Sequence, residues 1–106
     1  IGSVDAANWY TVGTDSNGVT WSIDNDSVKK DDKKAVMDIK AMDYEGYHYI
    51  VTEEFNHKKR EVKDLKVTLY NPQGYVVKEE QVNKDSRKVE PGTPAYAVFQ
   101  LIWGGK

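Results

Sequence analysis

The chain has few groups that could do chemistry. His48 and His57 are its only imidazoles, and Glu54 lies between them. Together they could make a metal or haem contact. Their spacing matches no metal motif, and they read instead as surface histidines on the polar face of a strand. Asp24, Asp26, Asp31 and Asp32 invite a calcium reading. A calcium loop wants alternating oxygen ligands, a glycine at the sharp turn and a bidentate glutamate. The glycine is missing and lysines interleave, so no metal site is expected. A nucleophile needs a base and an orienting group within reach. Serines are few, and no Gly-x-Ser-x-Gly elbow occurs. No catalytic residues, no enzyme activity and no cofactor are expected. What remains is a basic set, His57, Lys58, Lys59, Arg60, Lys63 and Lys66. It could meet a sulfated glycan or an acidic protein surface, or it could be a solvated corner whose lysines blunt a sheet edge. Trp9, Trp21, Trp103 and the seven tyrosines could form a binding platform, but in so short a chain they are better spent on a core.

These groups sit on a chain of 106 residues, the length of one domain. The formal net charge of −2 argues against broad electrostatic binding to nucleic acid or anionic membrane. There is no cysteine, which excludes disulfides, thiolate chemistry and sulfur-ligated zinc. Apolar runs are too short to span a membrane as a helix. The chain opens Ile1-Gly2-Ser3 rather than with methionine, as a processed mature chain or an expression fragment would. A secretory signal would then lie upstream.

The elements that must position these residues are mostly strands. Residues 1–8 read as a loose leader and 9–106 as the domain. Trp9–Gly13 and Val19–Asp24 flank Asp15-Ser16-Asn17-Gly18, a hairpin signal. Asn25–Lys34 reads as a solvated connection. Ala35, Met37, Ile39 and Ala41 alternate with Asp38 and Lys40, as in a strand. Tyr47, Tyr49, Val51 and Phe55 share one face of the next strand, and Leu65, Val67 and Leu69 one face of the one after. Asn71-Pro72-Gln73-Gly74 turns the chain into Tyr75 and Val77. Residues 83–91 read as irregular. Thr93-Pro94 starts a helix, Tyr96, Phe99 and Trp103 form its apolar stripe, and Gly104-Gly105 ends it. So short a helix needs the sheet to hold it. The core is expected to hold Trp9, Val12, Trp21, Ile23, Met37, Ile39, Tyr49, Val51, Phe55, Leu65, Val67, Leu69, Val77, Phe99 and Trp103. The fold class is α+β: a mainly antiparallel sheet of about six strands with a short C-terminal helix packed on one face.

Several of these segments, in this order, resemble the bacterial surface-adhesin protein E family. They are Trp9-Tyr10-Thr11-Val12-Gly13 with Asp15, Gly18 and Trp21; Ile23-Asp24 and Ser27-Val28; Glu54 to Arg60; Val67-Thr68-Leu69-Tyr70 with Gly74; and Pro91-Gly92-Thr93-Pro94 with the helix to Trp103. Members of that family often carry one cysteine in the basic corner and another at the end of the closing helix. His57 and Trp103 stand at those two places here. The resemblance therefore implies that residues 57 and 103 are neighbours, with aromatic packing of Phe55, His57, Phe99 and Trp103 in place of a disulfide staple between helix and sheet.

The resemblance further implies a secreted, cell-surface or periplasmic domain that binds proteins. The expected partner is a host extracellular protein or sulfated glycan met by the basic corner, without nucleic acid, and a homodimer through the uncovered face or an edge strand is a further expectation. Two alternatives stay open. One is a small-ligand or haem carrier using His48, His57 and nearby tyrosines, which predicts a concave apolar pocket. The other is an envelope enzyme inhibitor, which predicts a rigid protruding loop.

Overall fold

The computed structural model describes residues 7–82 and 85–104. Most of the expected leader, residues 1–6, lies outside them. Asn8 is tied to the domain: its amide donates to Asp24 Oδ1 at 3.0 Å, and its carbonyl accepts from the Asn25 amide.

The strands are β1 (Trp9–Thr14), β2 (Thr20–Asp24), β3 (Lys29–Lys30), β4 (Lys34–Met42), β5 (His48–Asn56), β6 (Glu61–Tyr70), β7 (Val76–Gln81) and β8 (Arg87–Lys88), followed by the helix α1 (Pro94–Trp103). The sheet is open and antiparallel, with the order β1-β2-β4-β5-β6-β7. It has eight strands, not about six. The two additional strands come from stretches expected to be solvated or irregular, and strand length explains them. β4 has nine residues and its neighbour β2 only five. The end of β4 left bare, Ala35 and Val36, is covered by Lys30 and Lys29 of β3. β6 likewise outlasts β7, and Arg87 and Lys88 of β8 pair with Val62 and Glu61. Unpaired backbone beside a buried face is costly, so short segments complete the ladder.

Three of the hairpin turns share one construction. In each, an Asp or Asn side chain accepts two amides of its own turn, and the glycine three residues on donates to its carbonyl: Asp15 with Gly18, Asp43 with Gly46, Asn71 with Gly74. The Asp15 carboxylate also accepts the Trp21 indole N–H at 3.1 Å. That bond, with the Val19 amide, holds its carboxyl below the usual range. Gly46 has φ +96, and a Cβ there would meet Pro72 Cβ at 3.2 Å, where the second and third turns touch. Gly46→Ala is therefore expected to lose about 1–2 kcal/mol, read as a lower midpoint in urea denaturation.

Residues opposite each other in an antiparallel pair share a face. One face carries Trp21 and Ile23 of β2, Ala35, Met37 and Ile39 of β4, Val51, Glu53 and Phe55 of β5, and Val62 and Asp64 of β6. α1 packs on it through Val98, Phe99 and Ile102, with Ala95, Tyr96 and Trp103 alongside. The helix begins and ends as its sequence dictates. Thr93 Oγ1 accepts the Tyr96 amide, Pro94 takes the first turn, and Gly104 closes in a left-handed conformation at φ 66.

The core departs from expectation at several positions. Ile23, Met37, Ile39, Phe55 and Phe99 are buried as expected, and Val12, Trp21 and Trp103 pack against them. Leu65 is only half-buried, and Val62 takes the core position, 1% exposed. The cause is a bulge: Thr52 faces Lys66 and Glu53 faces Asp64, so Leu65 is an extra residue and the parity of β6 inverts beyond it. Trp9 pairs with Asp24 and faces away from the helix. Tyr47 lies outside β5 and is exposed. Tyr49 and Val77 are half-exposed, and Val51, Val67 and Leu69 are only partly covered. A ten-residue helix is about 15 Å long and the central strands about 30 Å, so α1 roofs only the half of the sheet nearer Phe55 and Val62.

Candidate functional site

The loop between β5 and β6 holds four members of the predicted basic set. The His57 amide donates to the Lys33 carbonyl at 2.9 Å, and His57 Nδ1 sits 2.8 Å from the Asp32 carbonyl. Both contacts pin the corner to the segment that enters β4. Arg60 turns the chain with φ 54, a left-handed conformation few non-glycine residues adopt. Its guanidinium lies over the Phe99 ring, 5.3 Å from the centroid. Lys58, Lys59 and Arg60 are exposed, and none forms an ion pair among the described residues. With Lys33, His57 and Asp32, Lys58 and Arg60 rim a surface hollow of about 420 Å³. Lys63 and Lys66 are placed elsewhere. They lie opposite Glu54 and Thr52 on the sheet face away from the helix, where Lys66 pairs with Glu79 at 3.3 Å.

The corner is also where helix meets sheet. His57 stacks on Trp103 with ring centroids 4.3 Å apart and planes 2° from parallel. Phe99 meets His57, Trp103 and Phe55 edge-on or tilted, at 5.7, 5.0 and 6.5 Å. The Trp103 indole N–H donates to the Asp31 carbonyl at 3.1 Å, and Lys30 Nζ to the Ile102 carbonyl at 2.8 Å. Phe55, His57, Phe99 and Trp103 are thus brought together in one aromatic cluster.

The two histidines are at opposite ends of β5, roughly 30 Å apart at about 3.3 Å per residue. His48 is buried rather than on the surface. It stacks on Tyr70 at 5.1 Å, with Nδ1 3.0 Å from the Gly46 carbonyl. No group of histidine and acidic side chains able to hold a metal exists among the described residues. Asp24 and Asp31 spend their carboxylates on nearby backbone amides.

On the face away from the helix, Ser22, His48 and Thr68 are buried. Trp9, Asp38, Thr52, Lys66, Thr68 and Tyr70 line a polar trough of about 320 Å³ there. Lys40 Nζ lies 4.6 Å from the centroid of the Trp9 ring, and burial lowers the pKa of its ammonium.

Sequence reasoning missed a second hollow, beneath the start of α1. It measures about 420 Å³, and Trp21, Ile39, Val51, Pro94, Ala95 and Val98 form its apolar walls. Glu53, Asp64 and Arg87 supply its polar side. Arg87 reaches Asp64 Oδ1 at 3.1 Å and Glu53 Oε1 at 3.4 Å. Glu53 is 5% exposed, and its pKa is pushed up to about 9, first by burial and then by Asp64 beside it. The available signal was Glu53 itself, an acid in parity with Val51 and Phe55. Neither histidine lines this hollow, so it offers a haem no imidazole.

An open antiparallel sheet, roofed over half of one face by a C-terminal helix and leaving a basic corner exposed, defines a small α+β scaffold. The family model that matches it is surface-adhesin protein E, over residues 9–102. The chain belongs to that family. No curated protein and no solved structure matches it. Among the described residues no helix is long and apolar enough to cross a membrane.

Proposed function

We propose that this chain is a non-catalytic binding module of the bacterial surface or envelope, which engages an extracellular host protein or sulfated glycan through the corner His57–Arg60. The observation that carries the reading is the set of cations at that corner. Lys58, Lys59 and Arg60 project beside Lys33 without a carboxylate partner among the described residues, on a chain whose net charge is −2. An exposed basic group, with Asp32 the one acid among the described residues that rim its hollow, on a mildly acidic protein gives local steering without general stickiness. The aromatic cluster beneath holds its backbone, so binding would cost little ordering of the loop. Lys63 and Lys66 belong to a different surface and are left out of this contact.

The test is binding to matrix and plasma glycoproteins and to heparin at two salt concentrations, beside a variant carrying Lys58→Glu, Lys59→Glu and Arg60→Glu. Binding is expected to weaken at least tenfold between about 0.05 and 0.3 M salt and to vanish in the variant. Binding that ignores both salt and the substitutions would move the contact off this corner.

A further inference from the structure

We propose that the trough on the sheet face away from α1 is a binding site for one neutral sugar ring, such as the terminal hexose of a glycan. Its place follows from strand register. Asp38 of β4, Thr52 of β5 and Lys66 of β6 lie on one rung of the ladder, and Ile50 and Thr68 lie two residues along. Their side chains therefore leave the sheet on one face. Trp9 of β1 and Tyr70 of β6 line the same trough. From β4 to β6 is two strand spacings, about 10 Å. The volume of about 320 Å³ falls at the small end of the ordinary range for small-molecule sites, about 300–1,000 Å³. Thr68 is 6% exposed although no helix covers this face, so the floor is sunk below its surroundings.

The lining selects the ligand. A sugar offers hydroxyls, each both donor and acceptor, and C–H faces that pack on aromatic rings. The trough presents partners for both. Asp38 Oδ1 accepts the Thr52 hydroxyl at 2.7 Å, and the other Asp38 oxygen has no donor among the described residues. The Thr68 and Tyr70 hydroxyls are likewise uncommitted among them. The Trp9 indole N–H is buried without an acceptor among the described residues, a cost that a ligand oxygen beside the ring would remove. Each ring is already held from one side, Trp9 by Lys40 Nζ at 4.6 Å and Tyr70 by the His48 ring at 5.1 Å, so little ordering is left for binding to complete. The charges of the lining are mixed and favour neither sign of ion. Asp24 and Asp38 are acids, and Asp24 Oδ1 already accepts the Asn8 and Asp26 amides. Lys66 is a base, paired with Glu79 at 3.3 Å. Lys66 thus belongs to this surface rather than to the basic corner, and either site can fail without the other.

The experiment titrates the intact, isotope-labelled chain with the methyl glycosides of glucose, galactose and mannose. Glucosamine, glucuronate and cyclohexanol serve as cationic, anionic and hydroxyl-poor controls. Amide and indole N–H signals are followed by nuclear magnetic resonance, in which Trp9, Trp21 and Trp103 report separately. At least one glycoside is expected to bind in the low millimolar range or tighter. It should shift the Trp9 indole signal and the Thr52 and Thr68 amides, and leave the Trp21 and Trp103 indoles in place. Cyclohexanol is expected to bind at least about fivefold more weakly, and Asp38→Ala to weaken the glycoside by a similar factor. The variant carrying Lys58→Glu, Lys59→Glu and Arg60→Glu is expected to bind the glycoside as the parent does. No shift with any glycoside up to about 50 mM would overturn the proposal. So would tighter binding of either charged sugar, equal binding of cyclohexanol, or shifts at Trp21 or Trp103 instead of Trp9. The probe ranking and the map of shifts need only the unaltered protein, so they decide the matter even if Asp38→Ala folds poorly.

Discussion

Phe99→Ala is expected to destabilise the protein by about 3–5 kcal/mol, seen as a fall in the urea midpoint with little change in slope. Phe99 is fully buried and touches Phe55, His57 and Trp103, while Arg60 lies over its ring. Removing it leaves a cavity under a helix that cannot stand alone, in a domain class whose whole stability is about 5–15 kcal/mol. The neighbouring stack allows a finer measurement. If the stack of His57 on Trp103 staples helix to sheet, the pair should be energetically coupled. A double-mutant cycle with His57→Ala and Trp103→Ala is expected to give about 0.5–1.5 kcal/mol of coupling. Additive single effects would mean the rings are neighbours without serving as a staple.

The second large effect is in the pH dependence of stability. The pKa of Glu53 in the folded protein is about 9, against an ordinary value of 4.5. Between those values the folded chain holds a proton that the unfolded chain has lost. The stabilising contribution is therefore complete below about pH 4.5, falls by up to about 1.4 kcal/mol per pH unit above it, and is gone once pH has risen through about 9. Glutamine keeps the shape and cannot ionise. Glu53→Gln should nearly match the parent near pH 5 and exceed it by on the order of 5 kcal/mol at pH 9, the pull of Arg87 at 3.4 Å being already contained in that pKa. Urea titrations of both proteins across that range check it. The difference between the two curves isolates Glu53 from groups such as Asp15 and Asp31, whose lowered pKa values act at the acid end. Parallel curves would show that Glu53 is already ionised at pH 5 in the fold.

Much of this architecture was legible because its signals are local. Thr93-Pro94 and Gly104 bound the helix through the geometry of their own backbone. Asp15, Asp43 and Asn71, each with a glycine three residues on, close their hairpins through their own side chains. Alternation favoured a strand at β4 over the helix that its alanine, methionine and lysine also suit, and no bulge interrupts its pairing with β5. Spacing put Phe55, Phe99 and Trp103 on apolar faces, and the family resemblance set His57 beside Trp103.

What failed depended on partners far along the chain. One extra residue, Leu65, put Val62 and Asp64 on the face where alternation placed Leu65, and nothing within β6 announces it. β3 and β8 exist because two long strands outlast their neighbours, so Lys29–Lys30 and Arg87–Lys88 carry no strand pattern of their own. The helix length, set by its caps, decided which half of the sheet became core, leaving Tyr49 and Val77 outside it. The hollow with Glu53, Asp64 and Arg87 is the fullest case, since its walls come from β2, β4, β5, β6, β8 and α1. The sequence by itself determined the family, through the order of its segments along residues 9–102, and the hairpins and the helix, which rest on contacts a few residues apart. Only the tertiary structure decided which acid is buried, because burial is a property of what the rest of the chain lays over it.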